Sequence, residues 1–169
     1  MKYRYILALD PSGSFNEGKG TTGWCLYDAG LKIIKASGSI CAIDYNSMEE
    51  YWQAQLDLCA YYMQKSTVLV CEDYLLYASK ALEQSNSRME TSKLIGCVQL
   101  ECWRKGWAYI MQPAVEVKNR WTNAILVYKG ILKKKGRGYI PATGEMLNFT
   151  HHTLDAIRHA IHFASFKNK

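Results

Sequence analysis

Apolar and polar positions fall in blocks along this chain, and the blocks switch between strand-like and helix-like periods. The stretch Tyr5-Ile6-Leu7-Ala8-Leu9 is almost wholly apolar and runs straight into Asp10, Pro11 and Ser12. A short apolar run bounded by turn formers reads as a strand covered on both faces. A carboxylate ending such a strand is costly to desolvate, so Asp10 either caps a turn or holds a metal ion. Pro11 to Gly20 then reads as a loop. Thr21 to Asp28 alternates like a strand, Asp28-Ala29-Gly30 turns the chain, and Leu31 to Ile40 forms a third strand, which together predict an antiparallel meander. Asn46-Ser47 is placed to cap a helix over Met48 to Gln64, with Glu49 and Glu50 where the helix dipole favours negative charge. Thr67 to Cys71 repeats the opening pattern, a β-branched apolar run that ends in carboxylates, Glu72 and Asp73.

A polar stretch from Ser79 to Glu90 leads into a predicted helix over Thr91 to Arg104, stopped by Gly106, and a fifth strand over Trp107 to Gln112. Pro113 suits the first turn of a helix reaching Tyr128, followed by a basic loop from Lys129 to Gly138. Thr150 caps a last helix running to Phe166, whose apolar stripe is Leu154, Ile157, Ile161 and Ala164. The sum is an α/β fold with a five-stranded mixed sheet, an antiparallel N-terminal meander plus parallel strands, flanked by helices. One domain over residues 1–169 accommodates it, since no repeat, linker or low-complexity tract interrupts the pattern.

Composition narrows the class. With 49% hydrophobic residues and 12% aromatic, the chain has ample material for one core. No run approaches membrane-spanning length and no secretory leader is visible, so a soluble cytoplasmic protein is expected. The six cysteines show no Cys-x-x-Cys spacing and lie mostly in apolar runs, which favours buried reduced thiols. The net charge of +6 is concentrated: between Val117 and Gly144 lie Lys118, Arg120, Lys129, Lys133, Lys134, Lys135 and Arg137, with no acidic residue among them. Such a block is the electrostatic footprint of a phosphate-backbone binder, and a solvated basic loop is the plainer alternative.

Candidate chemistry comes from four places. Asp10 and Glu72 end strands. On the last helix, His152 and Asp155 are three residues apart and share a face; His151 lies four from Asp155, so spacing alone does not choose between the histidines. His159 and His162 are read as ordinary surface residues. Two strand-end carboxylates and a helical His/Asp pair suit hard divalent cations, and paired ions of this kind serve phosphodiester hydrolysis.

Taken together, Ile6-Leu7-Ala8-Leu9-Asp10-Pro11-Ser12, Thr21-Thr22-Gly23-Trp24, Val68-Leu69-Val70-Cys71-Glu72, Glu116-Val117-Lys118 and His152-Thr153-Leu154-Asp155-Ala156 resemble the ribonuclease H-like superfamily. Within it, the sequence is similar to the RuvC-type Holliday junction resolvases, especially their phage relatives. The resemblance implies that Asp10, Glu72, His152 and Asp155 form the catalytic metal-binding set for two Mg²⁺ ions, with Mn²⁺ as a substitute, and it selects His152 over His151. It further implies that Lys118 contacts DNA phosphate, that an aromatic enters the junction centre, for which Tyr74 and Tyr77 are candidates with core packing as the alternative, and that a homodimer cuts branched DNA in a bacterial or phage-infected cell. Arg120, Lys133, Lys134, Lys135 and Arg137 would add phosphate contacts that position DNA without reading bases.

Other readings remain open at this point. Another ribonuclease H-like nuclease, acting on flaps, forks or RNA/DNA hybrids, would use the same residues. A catalytically silent junction-binding protein is a reading from another class. Gly20-Thr21-Thr22-Gly23 resembles a phosphate-binding turn of actin-like ATPases, but that fold needs two such domains and this chain has room for one.

Overall fold

The structure is a computed structural model, and it describes residues 1–74 and 89–169. The chain forms a mixed α/β sheet flanked by helices. Strands β1 (Tyr5–Asp10), β2 (Thr21–Asp28) and β3 (Ile33–Cys41) make the antiparallel meander expected from their alternation. Strands β4 (Thr67–Asp73) and β5 (Ala108–Pro113) add to it in parallel on the β1 side. A two-stranded hairpin, β6 (Leu132–Lys135) with β7 (Gly138–Pro141), stands apart, and β8 (Glu145–Leu147) pairs in parallel with β3. The main sheet is thus six-stranded, in the order β5-β4-β1-β2-β3-β8.

Among the described residues, five α-helices surround it: α1 (Met48–Tyr62), α2 (Glu90–Lys105), α3 (Ala114–Lys118), α4 (Asn123–Tyr128) and α5 (His151–Phe166). Their ends follow local chemistry. Ser47 Oγ accepts from the Glu50 amide at 3.1 Å and Glu50 returns a carboxylate to the Asn46 amide at 3.0 Å, which closes the first turn of α1. Gly106, with φ of +65°, takes the left-handed position that ends α2 after Arg104 and Lys105. No helix among the described residues is long and apolar enough to cross a membrane.

Strand periodicity sorts the core into two layers. Leu7, Leu9, Leu69 and Cys71 point to the face covered by α1 and α2, where Cys59, Leu94, Val98 and Cys102 meet them. Ile6, Ala8, Val68 and Val70 point to the opposite face, against Ala156, Ile157, Ala160 and Ile161 of α5 and against Val117, Trp121 and Leu126. Each such fully buried aliphatic side chain stabilises the fold by about 1.5–3 kcal/mol relative to exposure. Because the period is two, the residues that continue the α5 face past Ala8 and Val70 are Asp10 and Glu72.

Several sequence expectations need correction. The sheet has a sixth strand, β8, whose three exposed residues carry no periodic signal and are held by pairing with β3. The helix expected from Pro113 to Tyr128 is broken in two: α3 stops at Lys118, and Thr122 begins α4 by accepting the Ile125 amide at 3.4 Å. The basic loop is the β6–β7 hairpin, closed by Gly136, with φ of +58°, and Arg137. All six cysteines are free thiols, although Cys97 is exposed.

Candidate active site

The site is built where β1 and β4 end. These strands are parallel and in register, Leu9 beside Cys71, so Asp10 and Glu72 follow side by side at adjacent C-terminal ends. Both reach toward α5, whose start is fastened over them. Thr153 Oγ1 donates to the Gly38 carbonyl at 3.0 Å and accepts from the Thr150 amide at 3.2 Å, while Ser39 Oγ lies 2.7 Å from Thr150 Oγ1 and 2.8 Å from Thr153 Oγ1. The other flank of Asp10 is held from beneath. Thr22 Oγ1, fully buried, accepts from the Ser12 amide at 2.9 Å and donates to Gln55 Oε1 at 2.7 Å, which fixes the backbone leaving Asp10.

Helical spacing then places His152, Asp155 and His159 on one stripe of α5, three and four residues apart. His152 Nδ1 lies 2.7 Å from Asp10 Oδ2. His151 is exposed and lies only against the His152 ring, with centroids 4.0 Å apart. Asp155 is paired with Arg158, whose other nitrogens donate to the Trp121 carbonyl at 2.9 Å and Asn123 Oδ1 at 2.7 Å. His159 Nε2 lies 2.8 Å from Glu72 Oε2. Lys118 Nζ, reaching in from the end of α3, sits 3.4 Å from Glu72 Oε1 and 3.1 Å from Asp155 Oδ2.

Burial and charge shape the acidity of these groups. Asp10 is only 7% exposed, and burial pushes its carboxyl above the usual range; the His152 hydrogen bond partly offsets this, and the charges of Glu72 and Asp155 add to it. Burial also works against the Glu72 carboxylate, but the hydrogen bond and charge of His159, with the Lys118 ammonium, outweigh it and hold Glu72 below its ordinary value. His152 is raised, chiefly by its bond to Asp10. Burial disfavours the Lys118 charge, yet Glu72 and Asp155 hold it above its ordinary value.

Among the described residues, no three Cys, His, Asp or Glu side chains stand together as a ready-made metal cage. The protein's own cations and N–H groups take up the carboxylates instead, one partner apiece from α5 and Lys118 between two of them. The donor chemistry nevertheless fits a hard divalent cation. Glu72 and Asp155 lie near enough to Asp10 for their charges to disfavour its ionised form, and they already draw an ammonium group between themselves.

Sequence reasoning missed His159 and Arg158. His159 was expected at the surface but is wholly buried, as is nearly all of His162. The usable signal was spacing: His159 lies four residues beyond Asp155 and between Ala156 and Ala160, on the side of the helix that turns inward. Of the proposed DNA contacts, Lys118 is at the site. Arg120 is exposed, with its guanidinium 4.5 Å over the Phe166 ring. Lys133, Lys134, Lys135 and Arg137 are exposed on the hairpin. Tyr74 is half-buried and packs against the core layer of α1 and α2, and Tyr77 lies outside the described residues.

No protein-family model and no curated protein matches the chain. Among solved structures it is similar to Thermus thermophilus RuvC in complex with a Holliday junction substrate, with a TM-score of 0.65 and 15% identity over 96% of this chain and 93% of that one. It is also similar to a second Thermus thermophilus RuvC structure, with a TM-score of 0.57 and 13% identity over 95% and 93% of the two chains. At such identity the likeness speaks for the fold: this chain has a RuvC-like fold, a mixed sheet of the ribonuclease H-like kind flanked by helices.

Proposed function

We propose that this protein is a structure-selective endodeoxyribonuclease that resolves Holliday junctions and other branched DNA by two-metal-ion phosphodiester hydrolysis. The observation that carries the reading is that Asp10 and Glu72 end adjacent parallel strands facing α5, where His152 meets Asp10 and Lys118 bridges Glu72 and Asp155. The likeness to a RuvC structure bound to a Holliday junction supports it.

Asp10, Glu72, His152 and Asp155 would hold the ions. Bound there, Mg²⁺ or Mn²⁺ would supply activation of water and stabilisation of the leaving 3′ oxygen. The chain's own residues do the rest. Arg158 keeps Asp155 turned inward, and Lys118 brings a positive charge to the place where a phosphate would approach the carboxylates. Lys133, Lys135 and Arg137, with Lys134 and Arg120, supply sequence-independent phosphate contacts along a DNA arm. A homodimer acting in the cytoplasm would place two such sites on opposite strands of a four-way junction, as the resemblance to phage relatives suggests.

Cleavage of a labelled four-way junction is expected to stop in EDTA and to return with added Mg²⁺ or Mn²⁺; cutting that persists in EDTA would refute the metal assignment. Replacing Lys133, Lys134 and Lys135 with Ala is expected to weaken junction binding and to flatten its salt dependence by a slope of about 2–3, since each phosphate left without its lysine removes about 0.9. A binding titration from low to moderate salt checks this, and an unchanged slope would return the hairpin to a merely solvated role.

A further inference from the structure

A histidine at position 159 is an odd choice for packing. Its ring is fully buried on the inward side of α5, next to Ala156 and Ala160, where an aliphatic side chain would meet no polarity penalty. Its Nδ1 is buried and has no hydrogen-bond partner among the described residues. The ring's polar contact is the one at Nε2, which donates to Glu72 Oε2 at 2.8 Å. The two oxygens of Glu72 therefore differ. Oε2 is held by a fully buried donor, whereas Oε1 faces Lys118 Nζ, a 40% exposed cation that also touches Asp155 Oδ2.

We propose that His159 is a positioning residue that clamps Glu72 Oε2 and so orders Oε1, the oxygen now facing Lys118, as the one that would serve a divalent cation. This rests on the metal reading of the site given above. A glutamate has three freely turning side-chain bonds, and ordering them opposes ion binding unless the fold has ordered them beforehand. Asp10 and Asp155 are shorter and have their own partners in His152 and Arg158; Glu72 is the longest arm and receives the most deeply buried donor. Hydrogen bonds to metal-ligating carboxylates are worth about 10–100-fold in metal affinity. His159 is closed off from solvent, so its influence runs through Glu72.

Two polar substitutions separate this role from packing. The amide nitrogen of Gln lies where His Nε2 lies and keeps the bond to Glu72; that of Asn matches Nδ1 and does not reach. Mn²⁺ binding to the DNA-free protein, read from the free-ion signal in electron spin resonance at fixed pH, is expected to weaken about 10–100-fold in His159→Asn and to stay near wild type in His159→Gln. Junction binding in EDTA is expected to be the same for all three proteins. Cleavage by His159→Asn is expected to need more Mn²⁺ for half-saturation and to approach the wild-type rate when saturated. Equal Mn²⁺ affinity in the Asn and Gln variants, whether weakened or not, would overturn the inference while leaving the metal site standing. A wild-type protein that takes up no Mn²⁺ would instead overturn the metal reading on which it rests.

Discussion

Asp10→Asn is expected to bind a four-way junction as tightly as the wild-type protein and to cut it about a thousand-fold more slowly, a loss of about 4 kcal/mol of transition-state stabilisation. Asp10 is the most enclosed of the candidate carboxylates, at the end of a central strand and within electrostatic reach of Glu72 and Asp155. Asn preserves its size and can still meet His152, so the fold has no reason to change. What disappears is one negative charge within electrostatic reach of Glu72 and Asp155. In the proposed reading DNA binding would rest mainly on the exposed hairpin residues Lys133, Lys134, Lys135 and Arg137, away from Asp10, and a carboxylate near phosphate repels it. Electrophoretic binding in EDTA and single-turnover cleavage in Mg²⁺ measure the two effects separately. Undiminished cutting would remove Asp10 from the machinery.

Gly23→Ala is expected to damage the same site without touching any charged group. Gly23 pairs with Asp10 across β1 and β2, on the face that α5 covers. A Cβ there would fall far inside the 3.0 Å that real Cβ atoms keep, against the carbonyl of His152 and the amide of Thr153. The helix start would have to lift, and His152 carries the ring that meets Asp10. Overpacking of this kind costs about 1–3 kcal/mol. A displacement of about 1 Å at a reacting centre can cost about a hundred-fold in rate. The variant is therefore expected to melt several degrees lower, by about 2–4 °C for each kcal/mol of destabilisation, and to cleave about a hundred-fold more slowly while still binding junctions. Calorimetry with the cleavage assay checks both, and a variant with wild-type melting and rate would show that α5 does not lean on β2 as described.

These two positions also show how far the sequence could be read. Asp10 and Glu72 announce themselves because each closes an apolar run too short for a helix, and the same runs fix the parallel pairing that sets them side by side. His152 and Asp155 are found by helical spacing, although the choice against His151 needs the helix's rotation relative to β1, which no local pattern contains. Gly23 and Gly144 are legible only in three dimensions. Gly144, with φ of +83°, lets the chain pass close to the Ile34 and Lys35 carbonyls before β8 pairs with β3, and nothing in Glu145-Met146-Leu147 signals a strand. The hairpin is hidden for another reason: Lys133-Lys134-Lys135 lacks apolar alternation, since the residue that anchors it, Leu132, is buried just before the lysines begin. His159 is hidden by its chemistry, because a histidine among alanines on a helix looks like surface until the strand-end glutamate beneath it is in place.

The central claim, a metal-dependent nuclease selective for branched DNA, is tested most directly by one comparison. Equal amounts of a four-way junction, a flap, a linear duplex and an RNA/DNA hybrid are incubated with the protein in Mg²⁺ and in Mn²⁺, and the cut positions are mapped on each strand. The account predicts paired incisions at symmetric positions on opposite strands of the four-way junction, weaker cutting of the flap and an intact duplex. A junction that is bound but left whole in both metals, or an RNA/DNA hybrid cut in preference to every branched DNA, would contradict it.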